Sequence, residues 1–210
     1  MAPHGGIAMK TETERPIGGI GGLMRDSEFF TRRKIRFLGS KARMWHSLAE
    51  VLFIDQILTA SNFDTVIELG AGRGGVTTLF LVHALRVNGH VYAFDTQHEP
   101  GSGLYRKLKK LTRSVHHEMD VFSGEAHALI SDYVGRGRVL LYCDNGNKRR
   151  EFNTYAPLLK GDDVVMAHDK GQEIFWSEIS DTANACGFTP FHQDLADRMG
   201  AGIFSFIKQV

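Results

Sequence analysis

Ten consecutive residues, Val66-Ile67-Glu68-Leu69-Gly70-Ala71-Gly72-Arg73-Gly74-Gly75, carry an apolar run straight into a cluster of glycines. A strand that ends in closely spaced glycines and then starts a helix can turn tightly. It also lets a ligand approach the backbone and aims a helix N-terminus at it. Gly70, Gly72 and Gly75 satisfy the GxGxxG spacing of dinucleotide-binding loops, so a nicotinamide-dependent dehydrogenase has to be weighed. Glu68, two places before the first glycine, speaks against it, because a carboxylate there repels a pyrophosphate and suits a cationic ligand group. A second constellation is Asp144 with the pair His168-Asp169. Two carboxylates with water and substrate oxygens make a hard site suited to Mg²⁺, and an imidazole extends the choice to Mn²⁺, Fe²⁺ or Co²⁺. A hydroxyl bound to such a cation is acidified and aimed, and a nearby base removes its proton. Asp144, Lys148 and His168 stand equally as that base.

These groups need elements to hold them. Residues 41–60 place Met44, Trp45, Leu48, Val51, Leu52 and Leu58 mostly three and four apart, which predicts one long amphipathic helix. Strands follow at 65–69 (TVIEL), 90–95 (HVYAFD), 115–120, 138–144 (RVLLYCD), 163–169 (DVVMAHD), 188–193 and 202–209. Helices are expected at 75–86, 104–111, 123–134, 149–159 and 173–186. The alternation argues for an α/β, Rossmann-like, doubly wound and mostly parallel seven-stranded sheet. Only residues 194–201 separate the last two strands, which leaves no room for a crossover helix and predicts a C-terminal antiparallel strand hairpin. In a parallel sheet the carboxyl ends of strands lie side by side, so Asp144, His168 and Asp169 can converge.

Composition removes several classes of function. The chain has 210 residues, 42% of them hydrophobic and 23% charged, as suits one folded domain with a small extension. Its 25 basic against 24 acidic residues argue against a protein that coats nucleic acid. The two cysteines, Cys143 and Cys186, form no CxxC pair, which excludes a zinc–cysteine site and a disulfide scaffold and suits a reducing cytoplasm. No apolar run reaches membrane-spanning length and the N-terminus lacks a hydrophobic signal core, so a soluble cytoplasmic protein is expected.

With these residues in place, the sequence resembles the class I S-adenosylmethionine-dependent methyltransferases. ELGAGRGG is similar to that family's first motif, and the resemblance covers about residues 41–210, leaving 1–40 as an N-terminal extension that is a flexible tail or a substrate lid. It implies that Glu68 and the backbone of Gly70, Ala71 and Gly72 hold the methionine part of S-adenosylmethionine. Asp95, with Thr96 beside it, would take the ribose hydroxyls, and Asp120 would meet the adenine amino group with Val121 or Phe122 beside the ring. Asp144 would also border the cofactor. The segment YCDNGNKRREFNTYAPLLKGDDVVMAHD resembles more closely the metal-dependent O-methyltransferases of the cephalosporin-hydroxylase-like and rhamnosyl-O-methyltransferase-like branch. That resemblance implies a metal at Asp144, His168 and Asp169, although His168 stands where the branch usually has an acid.

The implied activity is methyl transfer to a hydroxyl of a small molecule of natural-product, sugar or phenolic type, assisted by Mg²⁺ or another divalent cation. No nucleic acid or membrane partner is expected, and a homo-oligomer is compatible with the sequence. The alternatives are a metal-independent N- or O-methyltransferase and a non-catalytic cofactor-binding subunit. Asp144-Asn145-Gly146-Asn147 is not an Asn-Pro-Pro-Tyr-like motif, which speaks against methylation of DNA adenine. His98 reads as an exposed loop residue, one of His116 and His117 as structural, and Cys143 as core. Phe175 and Trp176 either line a substrate mouth or pack inward. Arg32, Arg33, Lys34 and Arg36 read as a solvated basic face or as a border that attracts an anionic substrate.

Overall fold

The computed structural model describes residues 33–36 and 43–210. Of the proposed extension 1–40, residues 1–32 and 37–40 lie outside the described residues, Arg32 among them, and of Arg33, Lys34 and Arg36 only the backbone is described. Seven strands, β3 (Thr65–Leu69), β4 (His90–Asp95), β5 (Val115–Glu118), β6 (Val139–Cys143), β7 (Val164–His168), β8 (Phe188–Pro190) and β9 (Ile203–Lys208), form one sheet in the order β5-β4-β3-β6-β7-β9-β8. All neighbours are parallel except β9, which runs antiparallel to both β7 and β8. The expected doubly wound sheet with a C-terminal antiparallel pair is therefore present.

Neighbouring residues of the central strands feed opposite cores, so each strand reads as a continuous apolar run. Val66, Val91, Leu140, Tyr142 and Met166 pack on one face with Phe53, Ile57 and Phe80 of helices α1 (Leu48–Ala60) and α2 (Gly75–Val87). Ile67, Phe94, Leu141 and Val165 pack on the other with Ile130, Phe152 and Ile179 of α4 (Gly124–Val134), α5 (Lys148–Tyr155) and α6 (Trp176–Ala185). Helix α3 (Gly103–Leu111) completes the first layer through Tyr105 and Leu108. Strand order reverses at β3, between β4 and β6, which opens a crevice at the carboxyl ends of β3 and β6.

The structure corrects the sequence reading at several ends. The helix expected over 41–60 begins only at Leu48, because Ser47 caps it: Ser47 Oγ accepts the Glu50 amide at 3.2 Å and Glu50 Oε2 accepts the Ser47 amide at 2.6 Å. Arg43–His46 forms instead a strand, β2, paired antiparallel with Arg33–Arg36, β1. Met44 and His46 are buried while Trp45 is exposed, a period of two that helical counting conceals.

The strand expected to reach 120 stops at Glu118, because the Asp120 carboxylate turns back to take the Phe122 amide at 2.9 Å. The helix expected at 149–159 is α5 followed by a 3₁₀ turn, Ala156–Leu158, around Pro157. The helix expected at 173–186 starts at Trp176, after a tight loop in which the Asp169 carbonyl accepts the amides of Gln172 and Glu173. The strand expected to run to 193 ends at Pro190, and the connection does hold a short helix, α7 (Gln193–Met199), packed against α1. It fits because it makes a local turn, capped by Gly200 at φ 69°, and does not cross the sheet.

Candidate functional site

A cavity of about 520 Å³ opens at the crevice. Its floor is the β3 terminus, where Gly70 donates to the Phe94 carbonyl at 2.8 Å and Asp144 donates to the Leu69 carbonyl at 2.8 Å. These two bonds bring the Gly70 backbone against that of Asp144. A Cβ on Gly70 would stand 2.5 Å from the Asp144 carbonyl oxygen, and its φ of 97° also requires glycine. Gly72, at φ 50°, has open space where a Cβ would be and lines the cavity.

Glu68 is buried in the floor, and its Oε2 makes no hydrogen bond among the described residues. Burial pushes its carboxyl well above the usual carboxylate range; the Thr77 hydroxyl opposes that rise, and the negative Asp144 and Asp95 add to it. Such a group fits an incoming cationic amino group, which would restore the ionised form.

The sequence-predicted residues divide in two. Glu68, Gly70, Ala71, Gly72, Asp144, Lys148, His168 and Asp169 all line this one cavity. Asp95, Thr96, Asp120, Val121 and Phe122 lie outside its lining, beside it along the carboxyl ends of β4 and β5. Asp95 is buried and takes the Gly72 amide on Oδ2 at 2.7 Å and the Gln97 amide on Oδ1 at 2.8 Å. Thr96 and Asp120 are exposed, Val121 is buried, and the Arg150 guanidinium stacks 3.9 Å from the Phe122 ring centroid.

The polar wall is a dense ionic cluster. Asp144 follows β6 in a loop that the buried Glu151 holds, accepting the amides of Asn145 at 3.2 Å and Asn147 at 3.1 Å. Lys148, the first residue of α5, places Nζ 2.6 Å from Glu173, 3.1 Å from Asp169 and 3.7 Å from Asp144. His168, the last residue of β7, sits between two carboxylates: Nδ1 is 2.8 Å from Asp144 Oδ1 and Nε2 is 3.3 Å from Glu50 Oε1. Burial would lower the His168 pKa, but Asp144 and Glu50 outweigh it and hold the value up at about 9. Burial likewise acts to raise Glu50, and His168 with the Ser47 amide overcomes it, bringing the carboxyl down to about 2.

Sequence reasoning missed His46, Glu50 and Glu173. His46 Nε2 lies 2.7 Å from the Tyr142 hydroxyl and 3.4 Å from Asp144 Oδ2, and its ring stacks on His168 at 4.1 Å between centroids. The Ser47-x-x-Glu50 capping box was the available signal: it ends the helix at Ser47 and frees His46 to face the crevice. The candidate ligand atoms of His46, Asp144 and His168 all lie within 4.8 Å of one another, and Asp169 Oδ2 lies 3.1 Å from Lys148 and 3.4 Å from His168 Nδ1.

The remaining candidates lie elsewhere. His98 is exposed and pairs with Glu118 at 2.7 Å, and His117 bonds the Tyr133 hydroxyl and stacks on Phe94. Cys143 is fully buried, which pushes its thiol well up, and Phe175 and Trp176 are half-exposed outside the cavity lining.

No protein-family model matches the sequence, and no curated protein does. Solved structures do. The CmcI-N160 apo structure matches at a TM-score of 0.64 and 14% identity, over 96% of this chain and 89% of that one. The cmcI-N160 SAH structure matches at 0.56 and 15% identity, over 96% and 97%, and the cmcI-D160 Mg-SAM structure at 0.55 and 14%, over 94% and 89%. The strand order, the antiparallel C-terminal pair and these likenesses together give the chain the fold of the class I S-adenosylmethionine-dependent methyltransferases.

Proposed function

We propose that the protein is an S-adenosylmethionine-dependent O-methyltransferase that acts on a hydroxyl of a small molecule with the help of a divalent cation. The observation that carries this reading is that Glu68 and the ionic cluster of Asp144, Lys148 and His168 line one cavity. The SAH and Mg-SAM of the CmcI structures agree with it.

The residues present fit the cofactor. Glu68 Oε2 is an unsatisfied buried acceptor for an amino group, and the open approach at Gly72 admits a ligand to the backbone. Asp95 keeps acceptor capacity for ribose hydroxyls beyond its two amide contacts, and Asp120 and Phe122 stand further along the same edge for the adenine. They fit a cation too, since Asp144 and two imidazoles face one point with a supporting carboxylate behind His168. When bound, the cofactor supplies the electrophilic methyl group and the cation acidifies and aims the hydroxyl. The chain's own part is orientation and proton uptake. Asp144, Lys148 and His168 form one connected set, so a proton taken from the substrate would enter that set.

A metal-independent N- or O-methyltransferase is favoured by one observation: the Lys148 ammonium stands within 4 Å of both Asp144 and Asp169 and supplies a positive charge itself. Calorimetric titration with S-adenosylmethionine, then turnover on a panel of hydroxylated compounds with and without EDTA, separates the readings. Absence of cofactor binding overturns both.

A further inference from the structure

We infer that His46, His168 and Asp144 form a two-histidine, one-carboxylate site that takes a first-row transition-metal ion in preference to Mg²⁺. This deepens the metal-assisted reading above and rests on it only for the purpose the ion would serve. Both rings aim a nitrogen at the same carboxylate, His46 Nε2 at Oδ2 (3.4 Å) and His168 Nδ1 at Oδ1 (2.8 Å). The rings stack with planes 21° apart, so the two nitrogens stand side by side on one face of Asp144.

The far nitrogen of His168 faces Glu50 Oε1 at 3.3 Å. Glu50 is fixed by the Ser47 amide and buried, and a carboxylate behind an imidazole is the usual support of a metal-bound histidine, where it sets the tautomer and raises ligand basicity. The buried Tyr142 hydroxyl lies 2.7 Å from this same His46 Nε2, a partner that an incoming ion would displace. A second acid, Asp169, places Oδ2 3.4 Å from His168 Nδ1, and the Lys148 ammonium 3.1 Å from that oxygen offsets its charge. The donors that lie within 4.8 Å of one another are two nitrogens and the Asp144 carboxylate, where Mg²⁺ asks for oxygen ligands and retained water. Imidazole pairs with one carboxylate suit Fe²⁺, Co²⁺, Ni²⁺ or Zn²⁺.

The opposing account is a self-contained ionic network that binds no ion. Metal titration of the full chain decides between them, with protein stripped by EDTA and then freed of it. Co²⁺ and Mg²⁺ are the probes, read by competition with a chromophoric chelator and by the Co²⁺ ligand-field absorption band, and no turnover is needed. We expect one equivalent of Co²⁺ bound about a hundredfold more tightly than Mg²⁺. His46→Gln should weaken Co²⁺ by more than about tenfold and shift the band, with S-adenosylhomocysteine affinity unchanged as the check on folding. Glu50→Gln, which keeps the capping box, should cost about tenfold. His168→Glu should move the preference toward Mg²⁺. Equal or tighter binding of Mg²⁺ to the unaltered protein overturns the inference, as does a His46→Gln variant that binds Co²⁺ normally. Failure to bind either ion overturns it too, while S-adenosylhomocysteine binding by that same protein would leave the methyltransferase reading standing.

Discussion

Gly72 donates its amide to Asp95 Oδ2 at 2.7 Å, which ties the glycine turn after β3 to the end of β4. Asp95 thus has two tasks on the proposed reading, to hold the turn and to receive the ribose. Losing a buried charge-assisted contact costs about 1.5–3 kcal/mol, so Asp95→Ala should weaken S-adenosylmethionine binding roughly tenfold or more. Asp95→Asn keeps one carboxamide oxygen and should lose less. Calorimetry on both variants checks this, and tight NAD binding without affinity for S-adenosylmethionine would sink the cofactor assignment.

Gly70 and Gly72 should respond differently to the same methyl group. Gly70→Ala would drive its Cβ to 2.5 Å from the Asp144 carbonyl oxygen, and backbone cannot move aside cheaply, so the β3–β6 junction should be lost along with cofactor binding. Gly72→Ala meets nothing within 4 Å and should cost only about 1–2 kcal/mol for its left-handed backbone. Its methyl group enters the cavity that the cofactor would fill. Denaturant titration should therefore find Gly72→Ala folded, and calorimetry should find its S-adenosylhomocysteine affinity reduced. Normal affinity in that variant would place the cofactor elsewhere.

The sheet was legible because each central strand is short, apolar on both faces and closed by a glycine or an acid, as TVIEL and VVMAH show. The same punctuation located Glu68, Asp144 and His168. The imidazole–carboxylate corner was not legible as a whole, because His46 enters from a strand whose pairing partner is the separate segment Arg33–Arg36. Met44, Trp45 and Leu48 satisfy helical spacing while the backbone around Met44 is extended, so periodicity alone could not separate the two. Asp120 shows the opposite limit. It was expected to end the strand at 120, but its carboxylate caps a turn at Phe122 and the strand stops at Glu118.

Glu151 should make stability depend on pH. It is fully buried, and burial pushes its carboxyl up to about 7 against the opposing Asn145 and Asn147 amides. Because the folded chain then binds this proton more tightly than the unfolded chain, its contribution is present below the ordinary Glu value and is lost as pH rises toward 7. The shift corresponds to about 3 kcal/mol at most. Urea unfolding at pH 5 and pH 8 should show the higher pH less stable, and Glu151→Gln should flatten that difference. A Glu151→Gln variant with the same pH slope as the unaltered protein would assign the slope to other groups.

Asp144 and Asp169 should separate chemistry from cofactor binding. Both hold side chains of the ionic cluster: Asp144 takes His168 at 2.8 Å, and Asp169 takes Lys148 at 3.1 Å. Asp144→Asn preserves volume but weakens its hold on His168, so kcat should fall by about 10²–10⁴ while S-adenosylhomocysteine affinity stays nearly unchanged. Asp169→Asn acts through Lys148, so its loss should be smaller if Lys148 still pairs with Glu173, which lies 2.6 Å away. Addition of divalent metal to stripped enzyme should restore turnover in the unaltered protein and not in Asp144→Asn, because the lost group acts on the nucleophile rather than on the methyl donor. Full activity in excess EDTA, with Asp144→Asn also active, would remove metal assistance and leave Lys148 as the positive charge beside the reacting oxygen.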